Sequence, residues 1–292
     1  MNNFSQGIGH ISIQIEQTHI TFFEKILIAL NGQMTEPTLY GWFHWLSLIA
    51  LISACVITCV KAKNLTDKQF DIVLGSIAGL LIALEIYKQF NFAYNPDEDS
   101  WAFHWGAFPF QFCSTPMYIM LAAVFIKKQS IREALYCFLG TYGLFAGAAV
   151  MFYPSTVFTE TIGINLQTMI HHGAMVVVGV MLYTCKKIPL SQRNVLKGAP
   201  VFIVLVVLAL IMNILYGEFG NPDYDFNMFY ISPYGSCLLP VFQAIQKALP
   251  YPIFLGLYIV GFTVAGYLMS LLAILGNKAA QKAEEKKHAE NK

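Results

Sequence analysis

Residues 199–217 read APVFIVLVVLALIMNILYG. The run contains no Asp, Glu, Lys or Arg. As a helix it is about 28 Å long at 1.5 Å per residue, close to the roughly 30 Å of a bilayer's hydrocarbon core. Comparable runs lie near residues 40–60, 72–92, 107–126, 134–153, 164–184 and 251–275, which makes seven expected spans. The composition agrees: 56% of the 292 residues are hydrophobic and 12% are charged, about half the usual share of charge in a soluble domain. In lipid each backbone N–H and C=O must be satisfied within its own segment, so the spans are helices. The short alternating strands of a membrane barrel are absent. The fold class is all-α, a polytopic membrane helical bundle of about seven transmembrane helices.

The loops between these runs alternate in charge. Lys61, Lys63 and Lys68 follow the first span, and Lys127, Lys128 and Arg132 follow the third. Lys186, Lys187, Arg193 and Lys197 follow the fifth, and the remaining cluster of lysines lies after residue 276. Outside these regions only Lys25, Lys88 and Lys247 remain, and Lys88 sits inside the second span. Cytoplasmic loops carry the excess of Lys and Arg, so the N-terminus is expected outside and the C-terminus inside the cell membrane. The net charge of +1 is uninformative about partners, and no basic stripe suits nucleic acid.

The chain divides into an outer N-terminal segment 1–39, a membrane domain 40–275 and a basic cytoplasmic tail 276–292. Residues 1–38 lack the basic start and long apolar core of a cleavable signal peptide. Within them ITFFEKILIAL places Ile20, Phe23, Leu27 and Leu30 at helical spacing, as an interfacial helix or a cap over the bundle. The outer loop 218–250 is long and rich in aromatic residues, and its LLPVFQAI stretch reads as a short helix acting as a lid or cap.

Cys55, Cys59, Cys137 and Cys185 fall toward cytoplasmic span ends and read as reduced small hydrophobes. Cys113 and Cys237 fall toward the outer side, where a disulfide is the alternative to a free thiol.

Three of the spans bring chemistry to a common depth. Span three begins FHWGAFPFQFCSTPMYIML, with Pro109 suited to a first helical turn and Pro116 loosening the helix beside Cys113. Cys113 then lies about 9 Å below the outer edge. A cysteine near a helix N-terminus with an imidazole close by is readily activated. His171 lies about 10 Å into span five, in TMIHHGAMVVV (168–178), and Glu85 about 10 Å down from the outer end of span two. Asn165, Thr168 and His172 share one helical face, Gln167 and His171 another, so the two rings point in different directions. A charge at span depth costs about 2.5–3.5 kcal/mol on insertion scales, and Lys88, three residues on, is a possible partner for Glu85. The expectation is a polar pocket toward the outer leaflet, with Cys113 as nucleophile, His171 or His172 as general base, and Glu85 orienting or balancing charge. Gln111, Gln167, Asn165, Asn213, Asn227 and Tyr230 are the candidates for binding substrate. Tyr251 adds a further polar group near the outer end of the last span.

Glu85 late in span two, FPFQFC, ALYCFLGTYGLFAGAAVMFYP, NLQTMIHHG and FNMFYISP together resemble the YwaF family of bacterial integral membrane proteins, related to the transmembrane protein 164 family of animals. The resemblance covers roughly residues 80–275. It implies a bundle of about seven helices and, through the animal proteins, a membrane acyltransferase acting on phospholipids through an acyl-cysteine. Bacterial members resemble L-P-x-H-x-C at FPFQFC, so Gln111 stands where they carry a histidine.

Two other classes compete. A transporter or channel for a small solute would line its route with the same residues, but the polar groups cluster outward while the inner span halves are nearly all apolar. A metal-dependent hydrolase could draw on His104, His171, His172 and Glu85, yet no H-x-x-x-H pair lies on one face. A retinal protein lacks a lysine in its last span. The reading is a cysteine-dependent acyltransferase of the YwaF type acting on membrane lipid in the outer half of the bilayer, with no cofactor.

Overall fold

The computed structural model describes residues 21–154, 156–220 and 225–290, with side chains through 282 apart from 280. Ile20 of the expected N-terminal helix, residues 221–224 of the long loop and the last residues of the tail lie outside this range.

Among the described residues six helices are long and apolar enough to cross a membrane. They are α2 (Trp42–Lys61), α3 (Asp67–Ala93), the joined pair α5 (Gln129–Phe138) and α6 (Leu144–Phe152), α7 (Ile162–Thr184), α8 (Arg193–Phe219) and α10 (Tyr251–Glu290). A shorter apolar helix, α4 (Thr115–Phe125), takes the place of the third expected span. The helical bundle expected from the hydropathy is therefore present, with one correction. Residues 107–126 do not form a continuous span, because α4 has 11 residues and covers about half the hydrocarbon thickness. Pro116, buried in the first turn of α4, has no intrahelical partner to lose there, so it starts a helix instead of loosening one. Pro109 lies ahead of α4 in irregular chain and not in a first helical turn. A two-residue antiparallel pair, Tyr94–Asn95 with Ser100–Trp101, departs from the all-helical pattern at the end of α3.

The spans differ widely in burial, and the two most buried have the lowest mean hydropathy, 1.6 for α5–α6 and 1.3 for α7. The α5–α6 unit has 67% of its apolar window buried and α7 has 61%, against 22% for α2 and 17% for α10. A π-helical turn, Leu139–Gly143, joins α5 to α6 at the bundle centre, with all five residues buried. Such a turn leaves backbone acceptors to be met locally, and Thr141 Oγ1 donates to the Cys137 carbonyl at 2.6 Å. Tyr142 from this turn stacks on Phe138 and Phe202, at the heart of an aromatic core completed by Phe262 and Tyr258. Two glycines set the close helix approaches. A Cβ at Gly198 would lie 2.8 Å from the Phe138 amide nitrogen, and one at Gly147 would lie 2.7 Å from the His172 carbonyl. Small residues let membrane helices meet backbone to backbone in this way.

The two ends of the bundle differ. At the lysine end, Arg132, Lys187 and Lys197 pair with Asp71, Asp67 and Glu133, and Thr66 and Gln69 form a capping box that starts α3. At the other, the loop end, α1 (Phe22–Leu30) lies over α3. Its start is a capping box of Thr21 and Glu24, Phe23 packs on Phe90 and Trp101, and Phe22 and Leu30 stay exposed. The helix therefore caps the bundle while presenting apolar surface. The expected short helix of the long loop is α9 (Pro240–Ala248), which packs Phe242 on Tyr258 and Phe262.

Candidate functional site

The segment between α3 and α4 decides what the loop end can do. Residues 108–114 are irregular, and irregular backbone at membrane depth persists only where protein satisfies its polar groups. Three side chains from elsewhere in the fold do so. Gln89 Nε2 donates to the Ala107 carbonyl at 2.6 Å, and Tyr118 Oη donates to the Pro109 carbonyl at 2.9 Å. His171 Nε2 lies 3.0 Å from the Cys113 carbonyl. Gln111 spends both ends of its amide on the long loop, donating to the Asn227 carbonyl at 3.1 Å and accepting from the Phe229 amide at 3.0 Å.

Because a carbonyl oxygen only accepts, the His171 proton sits on Nε2 and leaves Nδ1 as an open lone pair. His172 is the converse case: Nδ1 lies 2.7 Å from the Thr168 carbonyl, which puts its proton there and opens Nε2. Both residues are buried, their ring centroids lie 5.6 Å apart at a 55° tilt, and neither open nitrogen has a partner in the protein. Buried polar atoms are seldom left so.

Cys113 is half-buried, one residue before the α4 N-cap Ser114. All six cysteines are free, so the disulfide alternative for Cys113 and Cys237 is not formed. His171 meets the main chain of Cys113, not its sulfur. Glu85, buried on α3, forms an ion pair with Lys88 at 2.7 Å and accepts from Gln89 at 2.9 Å. Gln89 donates to both Glu85 and the Ala107 carbonyl, and His171 holds the Cys113 carbonyl, so the ion pair, the imidazole and the thiol are joined through the 107–113 segment without forming a hydrogen-bonded chain. Among the described residues no three His, Cys, Asp or Glu side chains converge as a metal-ion site.

The amide candidates are each hydrogen-bonded within the protein. Asn213 donates to the Met228 carbonyl and accepts from its amide, at 2.9 and 2.7 Å. Asn227 donates to the Ser236 carbonyl and accepts from the Ser232 amide. Asn165 holds Thr159 by both amide ends ahead of α7, and Gln167 accepts from Thr168. Tyr251 and Tyr258 donate to the carbonyls of Ile231 and Phe229. Together they hold a tight turn in which Phe229 and Tyr230 both have positive φ, 59° and 55°. Non-glycine residues pay of order 1–3 kcal/mol for strained conformations, and such positions cluster around functional sites. Tyr230 is half-buried in this turn.

Gln89 is the residue that the sequence reading passed over. It lies one helical turn after Glu85, and that i,i+4 spacing was the available signal. With Pro109, Met117 and Tyr118 it also lines a cavity of about 360 Å³ between α3 and α4.

Neither the curated proteins nor the solved structures give a match. A sequence model of the TMEM164 family matches residues 39–273, most of the chain and all of the corner around Glu85, Cys113 and His171. This multi-pass membrane protein belongs to the TMEM164 family.

Proposed function

We propose that the protein is a cysteine-dependent acyltransferase of membrane lipid, with its loop end facing outward across the cell membrane. The observation that carries this reading is His171 clasping the carbonyl of Cys113 while its open Nδ1 stays buried and unpartnered in the same corner. In the first half-reaction the Cys113 sulfur attacks the ester carbonyl of an acyl lipid. The new S–C bond forms as the ester C–O bond breaks, and the thiol proton passes through an imidazole to the leaving alcohol. In the second half an acceptor hydroxyl attacks the thioester, giving its proton back through the same base to the sulfur. The α4 N-terminus beside Cys113 supplies amide dipoles suited to the negative charge that develops. His172, with its own open Nε2, is the second candidate base.

Incubation of the purified protein with an acyl lipid, followed by intact-mass measurement, should find a hydroxylamine-labile acyl adduct on Cys113. Cys113→Ala should abolish it, and His171→Ala should slow its formation by about a hundredfold, in the usual range for loss of a general base. No adduct under any donor would overturn the reading.

One observation favours a second reading, a transporter or channel for a small solute. A broken span whose half-helix starts inside the bundle is a common solute-binding device. Solute uptake that survives Cys113→Ala would support it over acyl transfer.

A further inference from the structure

At the lysine end α3 and α4 leave a second, larger groove, of about 600 Å³, lined by Lys68, Asp71, Ile72, Gly75, Ser76 and Val124. Ile72 and Ser76 are exposed on the flank of the bundle. Gly75 contributes no side chain, and a Cβ added there would only touch Val124, at 3.7 Å. Gly79, one turn further, has nothing within 4 Å of such a Cβ. The result is a furrow along α3, apolar for most of its length and charged at its mouth.

The mouth holds more positive charge than the protein itself balances. Asp71, Asp67 and Glu133 are already paired with Arg132, Lys187 and Lys197. Among the described residues this leaves no carboxylate partner for Lys68, in the first turn of α3, or for Lys127 and Lys128, just past the end of α4. Arg132 joins the walls, donating from Nε to the Ala123 carbonyl on α4 and from one Nη to Asp71 on α3. Its guanidinium lies 5.4 Å from the centre of the Tyr136 ring, whose buried Oη has no partner. Further along the furrow one hydroxyl is exceptional. Ser47, Ser53 and Thr58 on α2 each donate to the carbonyl four residues back, as hydroxyls facing hydrocarbon are expected to do. Ser76 makes no such bond among the described residues, about 12 Å along α3 from Lys68 at 1.5 Å per residue. Unbalanced cations at the mouth, an open hydroxyl below them and an apolar furrow beyond call for one molecule with an anion, ester oxygens and a hydrocarbon chain in that order. A zwitterionic lipid would bring a further cation to the lysines, whereas an anionic one matches them.

We propose that this groove is a docking site for an anionic phospholipid, with its phosphodiester at Lys68 and Arg132, an ester oxygen at Ser76 and an acyl chain along Ile72, Gly75 and Gly79. Basic pockets between helices at a cytoplasmic membrane face recognise lipid headgroups in this way. The site lies at the end of the bundle away from Cys113, and its occupancy depends on neither the thiol nor the acyl-transfer reading.

The test is lipid retention. The purified, delipidated protein is offered equal amounts of phosphatidylglycerol and phosphatidylcholine with the same acyl chains, and native mass spectrometry measures how much of each stays bound. Phosphatidylglycerol should be favoured about fivefold, the contribution of one lysine toward an anionic lipid. Lys68→Ala should remove that preference. Lys63→Ala, exposed at the same end but outside the groove, should leave it unchanged. Ser76→Leu, which fills the furrow and removes the hydroxyl, should lower phosphatidylglycerol retention severalfold. Lys68 and Ser76 are both exposed, so these variants keep the fold. Equal retention of the two lipids, a preference that survives Lys68→Ala, or one that falls as far in Lys63→Ala would overturn the site. Excess inorganic phosphate should leave the lipid bound; displacement by it would show a site for a soluble anion and overturn lipid docking.

Discussion

At the lysine end, Arg132, Lys187 and Lys197 meet three carboxylates near the surface, where either partner can be solvated if the pair opens. At the loop end, Gln111, Asn213 and Asn227 hold the strained turn at Phe229 and Tyr230 through neutral amides placed inside the protein. The first arrangement tolerates error, because surface ion pairs contribute little and water replaces them. The second does not, since an amide removed there leaves a backbone N–H and a C=O with no solvent to turn to. A membrane protein that needs irregular backbone at depth must therefore invest in the second kind of contact, and this one does so around the turn at Phe229 and Tyr230.

The sharpest way to break that contrast is Asn213→Leu. It orphans the Met228 amide and carbonyl together, and a cost of about 2–4 kcal/mol is expected from two buried unmet groups. Thermal unfolding in detergent should show it, together with new proteolytic cutting in the Asn227–Ser232 turn. Asp71→Asn at the lysine end should cost at most about 1 kcal/mol in the same assay and leave the loop uncut. If the two variants melt alike, the division between the ends is wrong.

The smallest effect belongs to Glu24, which sits at the loop end but on its surface. The Trp101 indole donates to it at 3.0 Å and, with the Thr21 amide behind it, holds its carboxyl below the usual carboxylate range. Its contribution is thus fully present above the unfolded value of about 4.3 and is lost as pH falls through the lower folded value. Trp101 emission should shift only in that acidic window, and Glu24→Gln should remove the shift without a measurable change in melting at neutral pH.

How much could be read in advance varies by residue. Long apolar runs announced six helices, and the Glu85–Lys88 spacing announced their ion pair. Span three misled because its hydropathy is that of a helix, while its Cys113 carbonyl and its Gln111 amide meet partners 58 to 118 positions away in the chain, His171, Asn227 and Phe229. Thr21 and Glu24 did carry the start signal of α1 in plain view, as a Thr-x-x-Glu capping box.

The amino-acid order alone determined that this chain crosses the bilayer repeatedly and where its charges gather, because hydrophobicity and spacing are local properties. Only the folded arrangement decided that α4 is half a span, that α7 and the α5–α6 unit are central while α2 and α10 are peripheral, and that His171 meets the Cys113 backbone. Those outcomes depend on the angular order of helices and on which carbonyls are left unmet, and neither is written in any one segment.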